Sequence, residues 1–167
     1  MALKDAAAVS PVLVTLSGVA PVNVTALFIR TLQEIVHEEG KPRWESVLAA
    51  DSEDASPQAK VGFSRLLDTT WNRMEAHVRA VGDDIVFLHD ATPLARYTGG
   101  TDLLARLAVT ARQSGESPHG LWLFCPMHDP HEPPRLDGQI VPVIPGDAEQ
   151  LVVPSGFGAS ISPRRAS

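Results

Sequence analysis

The apolar run DIVFLH, at residues 84–89, constrains the fold of this chain more than any other segment. No polar residue alternates with its apolar ones, which is typical of a central parallel strand covered on both faces. Similar apolar runs predict further strands of the same sheet: VLVTLSG at 12–18, GLWLFC at 120–125 and IVPVI at 140–144. Because Pro142 cannot donate a hydrogen bond to a neighbouring strand, the last of these is expected at a sheet edge.

Amphipathic helices are predicted between these strands, because apolar residues recur there at spacings of three and four. A turn at residues 19–23 is expected before the first helix, with Asn23 or Thr25 as its N-cap. Thr101 or Asp102 is expected to cap the last helix. The predicted helices cover residues 25–39, 44–50, 58–80 and a segment ending near Ala111.

The alternation of helix and apolar strand predicts an α/β fold, with a small, mostly parallel sheet flanked by helices. A degenerate P-loop-like, three-layer arrangement is the alternative within that class. A chain of 167 residues has room for one such domain. We expect residues 1–11 to form a flexible N-terminus, 12–153 a single domain and 154–167 a flexible tail.

The charge balance argues against a protein that binds nucleic acid directly. The chain carries 20 acidic residues against 14 Lys and Arg, a net charge of −6, whereas binders of the phosphate backbone show a basic surplus.

No apolar stretch reaches the ~18 residues of a membrane span, and the start MALKDAAAVS does not resemble a signal peptide. A single cysteine cannot form an internal disulfide, so a cytoplasmic location is expected.

A phosphate-binding loop is one candidate site, because an apolar run ending in Gly18 leads towards a helix. Aligned on G-x-x-x-x-G-K-[ST], Gly18 and Thr25 match, while Asn23 replaces the second glycine and Val24 the lysine. Asp90 follows the apolar run at 84–89, where a metal-holding carboxylate of such a site would lie. ATP with Mg²⁺ is therefore an alternative ligand, and an ordinary helix cap at Asn23 or Thr25 is the simpler interpretation.

A zinc site is a second candidate, because Cys125, His128 and His131 form a C-x2-H-x2-H pattern of possible ligands. A zinc hydrolase is the corresponding alternative function, and a polar loop after a core strand is the simpler interpretation. Burial at the end of an apolar strand is expected to raise the pKa of Cys125.

His89 and Asp90 are neighbours on a predicted strand, so their side chains are expected on opposite faces of the sheet, where they could not pair with each other.

The loop DATPLARYTGGTD, at residues 90–102, is the strongest candidate for binding a protein partner. It follows the carboxyl end of the predicted central strand, where ligands bind in open α/β sheets. Its candidate contact residues are Asp90, Arg96, Tyr97 and Asp102. The simpler interpretation is that Pro93 and Leu94 seat the loop on the core while Arg96 pairs with Asp90 or Asp102.

Several segments follow one another in the order found in a known family: PVNVTALFIRTLQE, WESVLAADSED, DATPLARY with DLLARLA, GLWLFCP and LDGQIVPVI. In this order they resemble the C-terminal region of the large serine/threonine kinase proteins of bacteriophage-exclusion, or phage-growth-limitation, defence systems. The resemblance covers about residues 12–145. Family members continue past the last strand with a tryptophan-containing segment and a further helix, where this chain has GDAEQLVVPSGFG.

The resemblance implies an accessory domain without the kinase itself, since the chain has no G-x-G-x-x-G loop, no H-R-D and no D-F-G. We therefore expect a non-catalytic interaction or regulatory domain with no cofactor and no catalytic residues. Its expected partners are proteins, among them other components of the defence system. The altered C-terminal segment is expected to leave the closing contacts of the family domain missing or supplied by a partner chain.

Overall fold

The centre of the molecule is a parallel sheet of three strands, seen in a computed structural model that describes residues 16–81, 85–127, 129, 131–141 and 151–153. Five helices and a two-stranded hairpin accompany the sheet in this described part. In chain order the elements are β1 (Val19–Asn23), α1 (Val24–Glu39), α2 (Trp44–Ala50), α3 (Pro57–Arg79), β2 (Ile85–His89), α4 (Thr92–Arg96), α5 (Gly100–Thr110), β3 (Gly120–Leu123), β4 (Arg135–Leu136) and β5 (Gln139–Ile140).

The strand order is β1-β2-β3, so the apolar run of residues 85–89 forms the central strand, as predicted. Both neighbours are parallel to it, and Leu88 is in register with Val22 on one side and Leu123 on the other. The connection from β1 to β2 and the connection from β2 to β3 each lead to the adjacent strand, in the same direction across the sheet. Since such crossovers are right-handed, both place their helices on the same face of the sheet.

The main hydrophobic core lies between that face and the helices. Val86 and Leu88 of β2 are at most 2% exposed and join the core cluster, together with Ile35 of α1, Trp71 of α3 and Leu103 of α5. Phe87 points to the opposite face, because side chains alternate along a strand, and it is not part of this cluster. Among the described elements, the helices therefore cover one face of the sheet. Phe87 on the other face is also only 2% exposed, so the central strand is buried on both faces, as predicted.

The first helix begins and ends at the residues that its sequence indicates. The Asn23 side chain accepts a hydrogen bond from the Ala26 N–H at 2.8 Å, which is the predicted N-cap. Gly40 ends the helix in the left-handed conformation, and its N–H donates a hydrogen bond to the carbonyl of Val36.

The predicted α/β class, with a small parallel sheet and flanking helices, is confirmed by the strand order and the element order.

The first strand differs from its prediction. We predicted a strand at 12–18 and a turn at 19–23, but residues 19–23 form β1 and lead directly into α1. Pro21 makes this segment look like a turn, yet proline is tolerated because β1 is an edge strand. Residues 12–15, together with the termini predicted to be flexible at 1–11 and 154–167, lie outside the described residues.

Two further boundaries also differ. The last helix begins at Gly100 behind a left-handed Gly99, so neither Thr101 nor Asp102 is its cap. The predicted edge strand at 140–144 is described only to residue 141, where Gln139–Ile140 pairs with Arg135–Leu136 across a tight turn. No described helix is long and apolar enough to cross a membrane.

Candidate functional site

The carboxyl ends of β1 and β2 are joined by polar side chains. The Asn23 Nδ2 donates to Asp90 Oδ2 at 2.8 Å, while the same Asn23 caps α1 through its oxygen. Asp90 has a φ of +50°, a left-handed conformation that is costly for a residue with a side chain. Its side chain remains 62% exposed. The carboxylate is thus held in a defined place while it stays open to solvent.

The strained backbone of Asp90 is held by the first turn of α1. Both the backbone N–H and the hydroxyl of Thr25 donate to the Asp90 carbonyl oxygen. Two donors on one carbonyl offset part of the cost of the left-handed conformation. The structure therefore brings Asn23, Thr25 and Asp90 together, as the phosphate-loop alternative requires of these three residues.

His89 pairs with Asp90, contrary to the expectation that neighbouring strand residues point apart. Its Nδ1 lies 3.0 Å from Asp90 Oδ2, a distance that suits donation from a protonated Nδ1. The pairing is possible because Asp90 leaves the extended conformation, which turns its carboxylate back towards the strand end. The His89 ring also stacks on Phe87, with centroids 5.6 Å apart.

Buried residues seat the loop of residues 90–102 on the helices. Pro93 and Leu94 are buried, and Gly100 packs so tightly that an added Cβ would lie 2.5 Å from the Leu94 carbonyl oxygen. Gly99, with a φ of +87°, leaves no room for a Cβ beside Trp71, whose Nε1 donates to the Thr98 carbonyl at 2.8 Å. The loop therefore has one well-defined conformation.

Tyr97 is an anchor of this loop and not a freely exposed contact. Its ring stacks on Phe28 at 5.0 Å and meets Phe63 edge-on at 5.9 Å. Its hydroxyl donates to Asp51 Oδ2 at 3.0 Å. Burial raises the pKa of the Tyr97 hydroxyl, and the hydrogen bond to Asp51 raises it further.

Besides Asp90, Arg96 and Asp102 are exposed charged residues of the loop. The Arg96 guanidinium lies over the Tyr97 ring, 5.7 Å from its centroid. In the described part of the chain, no ion pair joins Arg96 to Asp90 or Asp102. Asp102 is exposed in the first turn of α5, where a negative charge is favoured by the helix dipole.

Gly18 lies apart from the other residues of the phosphate-loop alternative. It precedes β1, whereas Asn23 ends it, so a five-residue strand separates them. At about 3.3 Å per residue, that separation is roughly 16 Å. A phosphate loop between Gly18 and Thr25 would need this segment to curve around its ligand, and the segment is extended instead.

The three metal-ligand candidates are only partly described. Cys125 packs against the core, and its desolvation raises the pKa of the thiol to about 11, which disfavours the thiolate that zinc binds. His131 is exposed, with its backbone N–H donating to Asp129 Oδ1 at 2.9 Å. His128 lies outside the described residues. Within the described ranges, no group of three His, Cys, Asp or Glu side chains could hold a metal ion.

A group of aromatic side chains on the sheet face away from the helices was not predicted. The four residues Phe87, His89, Trp122 and Phe124 make up what we call the aromatic face. Phe87 and Trp122 are in register on β2 and β3, and Phe87 lies 6.1 Å from Phe124 between ring centroids. Alternation along GLWLF places Trp122 and Phe124 on one side, but only the register shows that Phe87 and His89 share it.

Comparison with known proteins confirms the resemblance. The chain is 34% identical over 143 residues to the probable kinase PglW of Streptomyces coelicolor. The match takes in 82% of this chain but 9% of PglW, so the chain is related to one segment of a much longer protein. PglW is a kinase of a phage-growth-limitation defence system. No protein-family model and no solved structure matches the chain.

Proposed function

We propose that this chain is a non-catalytic interaction domain of a phage-defence system, which contacts a protein partner through the loop of residues 90–102. The observation that carries the proposal is that apolar residues of the loop are buried against the core while its charged residues are exposed. Pro93 and Leu94 are buried as anchors, whereas the charged groups of Asp90, Arg96 and Asp102 are exposed.

A loop of this kind suits recognition because its shape is fixed before a partner arrives. Tyr97 is held by two aromatic rings and by Asp51, and Thr98 by the Trp71 indole. Little conformational entropy is then lost when Arg96 is bound, which favours affinity. The position at the carboxyl ends of parallel strands, where binding sites of α/β folds concentrate, supports the same proposal.

The similarity to PglW supports the biological setting. The chain carries none of the glycine-rich loop, H-R-D or D-F-G motifs of protein kinases. We therefore propose that it acts beside a kinase region, in the cytoplasm, by binding the kinase protein or another component of the defence system. No cofactor enters this proposal.

The test compares two charge reversals of the same size. The chain and the kinase protein of its own defence system are purified separately, and their Kd is measured by interferometry. We expect Arg96→Glu to weaken binding at least tenfold. Arg43→Glu, which reverses an exposed arginine beyond the far end of α1, should leave the Kd within twofold.

The second variant is a useful control because Arg43 lies outside the loop of residues 90–102. Asn23, beside Asp90, caps one end of α1, whereas Arg43 follows its other end, and a helix of 16 residues is about 24 Å long. Equal weakening by both reversals would point to net charge alone and contradict the proposal. So would unchanged binding of a folded Arg96→Glu variant.

A further inference from the structure

A groove opens between the C-terminal end of α1 and the start of α2. One wall is formed by Gln33, Val36 and His37, which share a face of α1 because they lie three and four residues apart. The segment that joins the two helices and the first residues of α2 form the other wall. The groove has a volume of about 560 Å³, within the range of ligand-binding pockets, and none of its lining residues belongs to the loop of residues 90–102.

The floor of the groove is apolar. Its two least exposed residues are Val36, which is 9% exposed and part of the hydrophobic core, and Trp44, which is half-buried and packs against that core. The other lining residues are exposed. The groove is therefore an apolar strip that stays open to solvent along its length.

Polar side chains around this floor have no partners among the described residues. The Trp44 Nε1 makes no hydrogen bond there, and since no buried side-chain nitrogen of the described part lacks a partner, this N–H is open to solvent. Gln33, His37 and Arg43 likewise make no side-chain hydrogen bond or ion pair within that part. Several hydrogen-bonding groups thus converge on one apolar strip, as in a binding site.

These groups are mainly hydrogen-bond donors. The Trp44 indole and the Arg43 guanidinium can only donate, whereas Gln33 and His37 can either donate or accept. Glu45 is the one lining side chain that only accepts. The complementary ligand is therefore rich in acceptors and poor in donors. A proline-rich peptide has this character, because each proline keeps its carbonyl oxygen but lacks an N–H.

The shape of the groove suits the same ligand. Proline-rich segments adopt the extended polyproline II helix and bind in grooves that are lined by aromatic rings. Along α1 the groove runs from Gln33 to Gly40, which is about 10 Å at 1.5 Å per residue. One turn of a polyproline II helix has about the same length, roughly 9 Å for three residues. A second copy of the chain fits less well, since a stable dimer buries about 800 Å² on each partner.

We infer that this groove binds an extended proline-rich segment of a protein, with proline rings on the Trp44 indole and peptide carbonyls accepting from Trp44 Nε1 and the Gln33 amide. The inference goes beyond the proposed function, because it gives the domain a second binding site that does not involve the loop of residues 90–102. A small organic molecule is disfavoured, since such ligands bury about 70–90% of their surface in their pockets and this groove is open.

The test titrates the full chain with three capped peptides of about seven residues each. The first is L-proline throughout, the second is its all-D mirror image, and the third alternates glycine and serine. NMR follows the indole N–H of Trp44, assigned with Trp44→Phe. We expect a saturable shift with the L-proline peptide, at least fivefold weaker binding of the D-proline peptide, whose helix has the opposite hand, and no shift with the third peptide.

Variants locate the binding, with affinities measured by the fluorescence anisotropy of a labelled L-proline peptide. Trp44→Phe keeps an aromatic ring but loses the N–H, and we expect at least fivefold weaker binding. Gln33→Ala changes an exposed residue and should also weaken binding at least fivefold, without the loss of core packing that a change of Trp44 brings. Gln58→Ala is the matched control, an exposed glutamine of α3 outside the groove, and should leave the Kd unchanged.

The inference is overturned if the Trp44 signal does not respond to the L-proline peptide, if the D-proline peptide binds equally well, or if folded Trp44→Phe and Gln33→Ala variants both bind like the parent. Arg96→Glu should bind the L-proline peptide normally, and Trp44→Phe should bind the kinase protein normally. The proposed loop contact and this groove are therefore tested by different variants, and the two proposals fail separately.

Discussion

The Asn23 carboxamide donates a hydrogen bond to the Asp90 carboxylate at 2.8 Å and so ties the end of the edge strand β1 to the end of the central strand β2. The same side chain caps α1 through its oxygen. One residue thus fixes both the start of the first helix and the strained turn that begins the candidate binding loop.

Replacement of Asn23 should separate these two roles. Asn23→Ala removes the cap and the bond to Asp90, and we expect it to lower the free energy of unfolding by about 2 kcal/mol. Asn23→Ser keeps a capping oxygen but cannot reach Asp90, so its loss should be about 1 kcal/mol. Urea unfolding measures both. Equal losses would show that the bond to Asp90 contributes nothing.

Tyr97 should contribute to stability mainly through its ring. Tyr97→Ala removes an aromatic side chain packed on Phe28 and Phe63, and we expect a loss of about 3 kcal/mol. Tyr97→Phe removes only the hydrogen bond to Asp51 and should cost about 1 kcal/mol. Thermal unfolding distinguishes the two, and a Phe variant as unstable as the Ala variant would contradict the packing described here.

Gly99 should not tolerate a side chain. Gly99→Ala places a Cβ 2.9 Å from Trp71 Cδ1 in a left-handed conformation, so we expect a loss of about 2–3 kcal/mol. The control is Gly62→Ala in α3, where an added Cβ meets nothing within 4 Å. That change should stabilise the protein by about 0.5–1 kcal/mol, because alanine is the better helix former. If chemical unfolding gives both variants the same sign, this account of Gly99 is wrong.

Because burial raises the pKa of Cys125, we expect the stability of the protein to fall at alkaline pH. Burial favours the neutral thiol in the folded state, where the pKa of Cys125 is about 11, above its ordinary value of 9.0. The contribution of Cys125 to the free energy of unfolding is therefore fully present below pH 9.0 and is lost as the pH rises towards about 11. Within that window the free energy of unfolding should fall by about 1.4 kcal/mol per pH unit relative to Cys125→Ala. Urea unfolding of both proteins at pH 8, 9 and 10 measures the difference, and parallel curves would contradict it.

The helices and the central strand could be predicted from sequence because their signals are local. Asn23, Gly40 and the apolar spacing of α1 all lie within that helix or at its ends, and DIVFLH is apolar throughout. The first strand could not be placed, since Pro21 resembles a turn residue until β1 is known to be an edge strand.

The site was harder to predict because its contacts join residues distant in sequence. Nothing local to Asp90 shows that Thr25 donates to its carbonyl, or that its backbone is left-handed and so lets His89 pair with its carboxylate. Likewise, Tyr97 looks like an exposed contact in the sequence, but its partners Phe28 and Phe63 come from two other helices.

The most direct test of the central claim is hydrogen exchange of the chain with and without the purified kinase protein of its defence system. We predict slower exchange of the backbone amides of residues 90–102 when the partner is present, and loss of that protection in Arg96→Glu. Exchange that is unchanged at residues 90–102 while the partner is bound, or protection that survives Arg96→Glu, would contradict the proposed role of this loop.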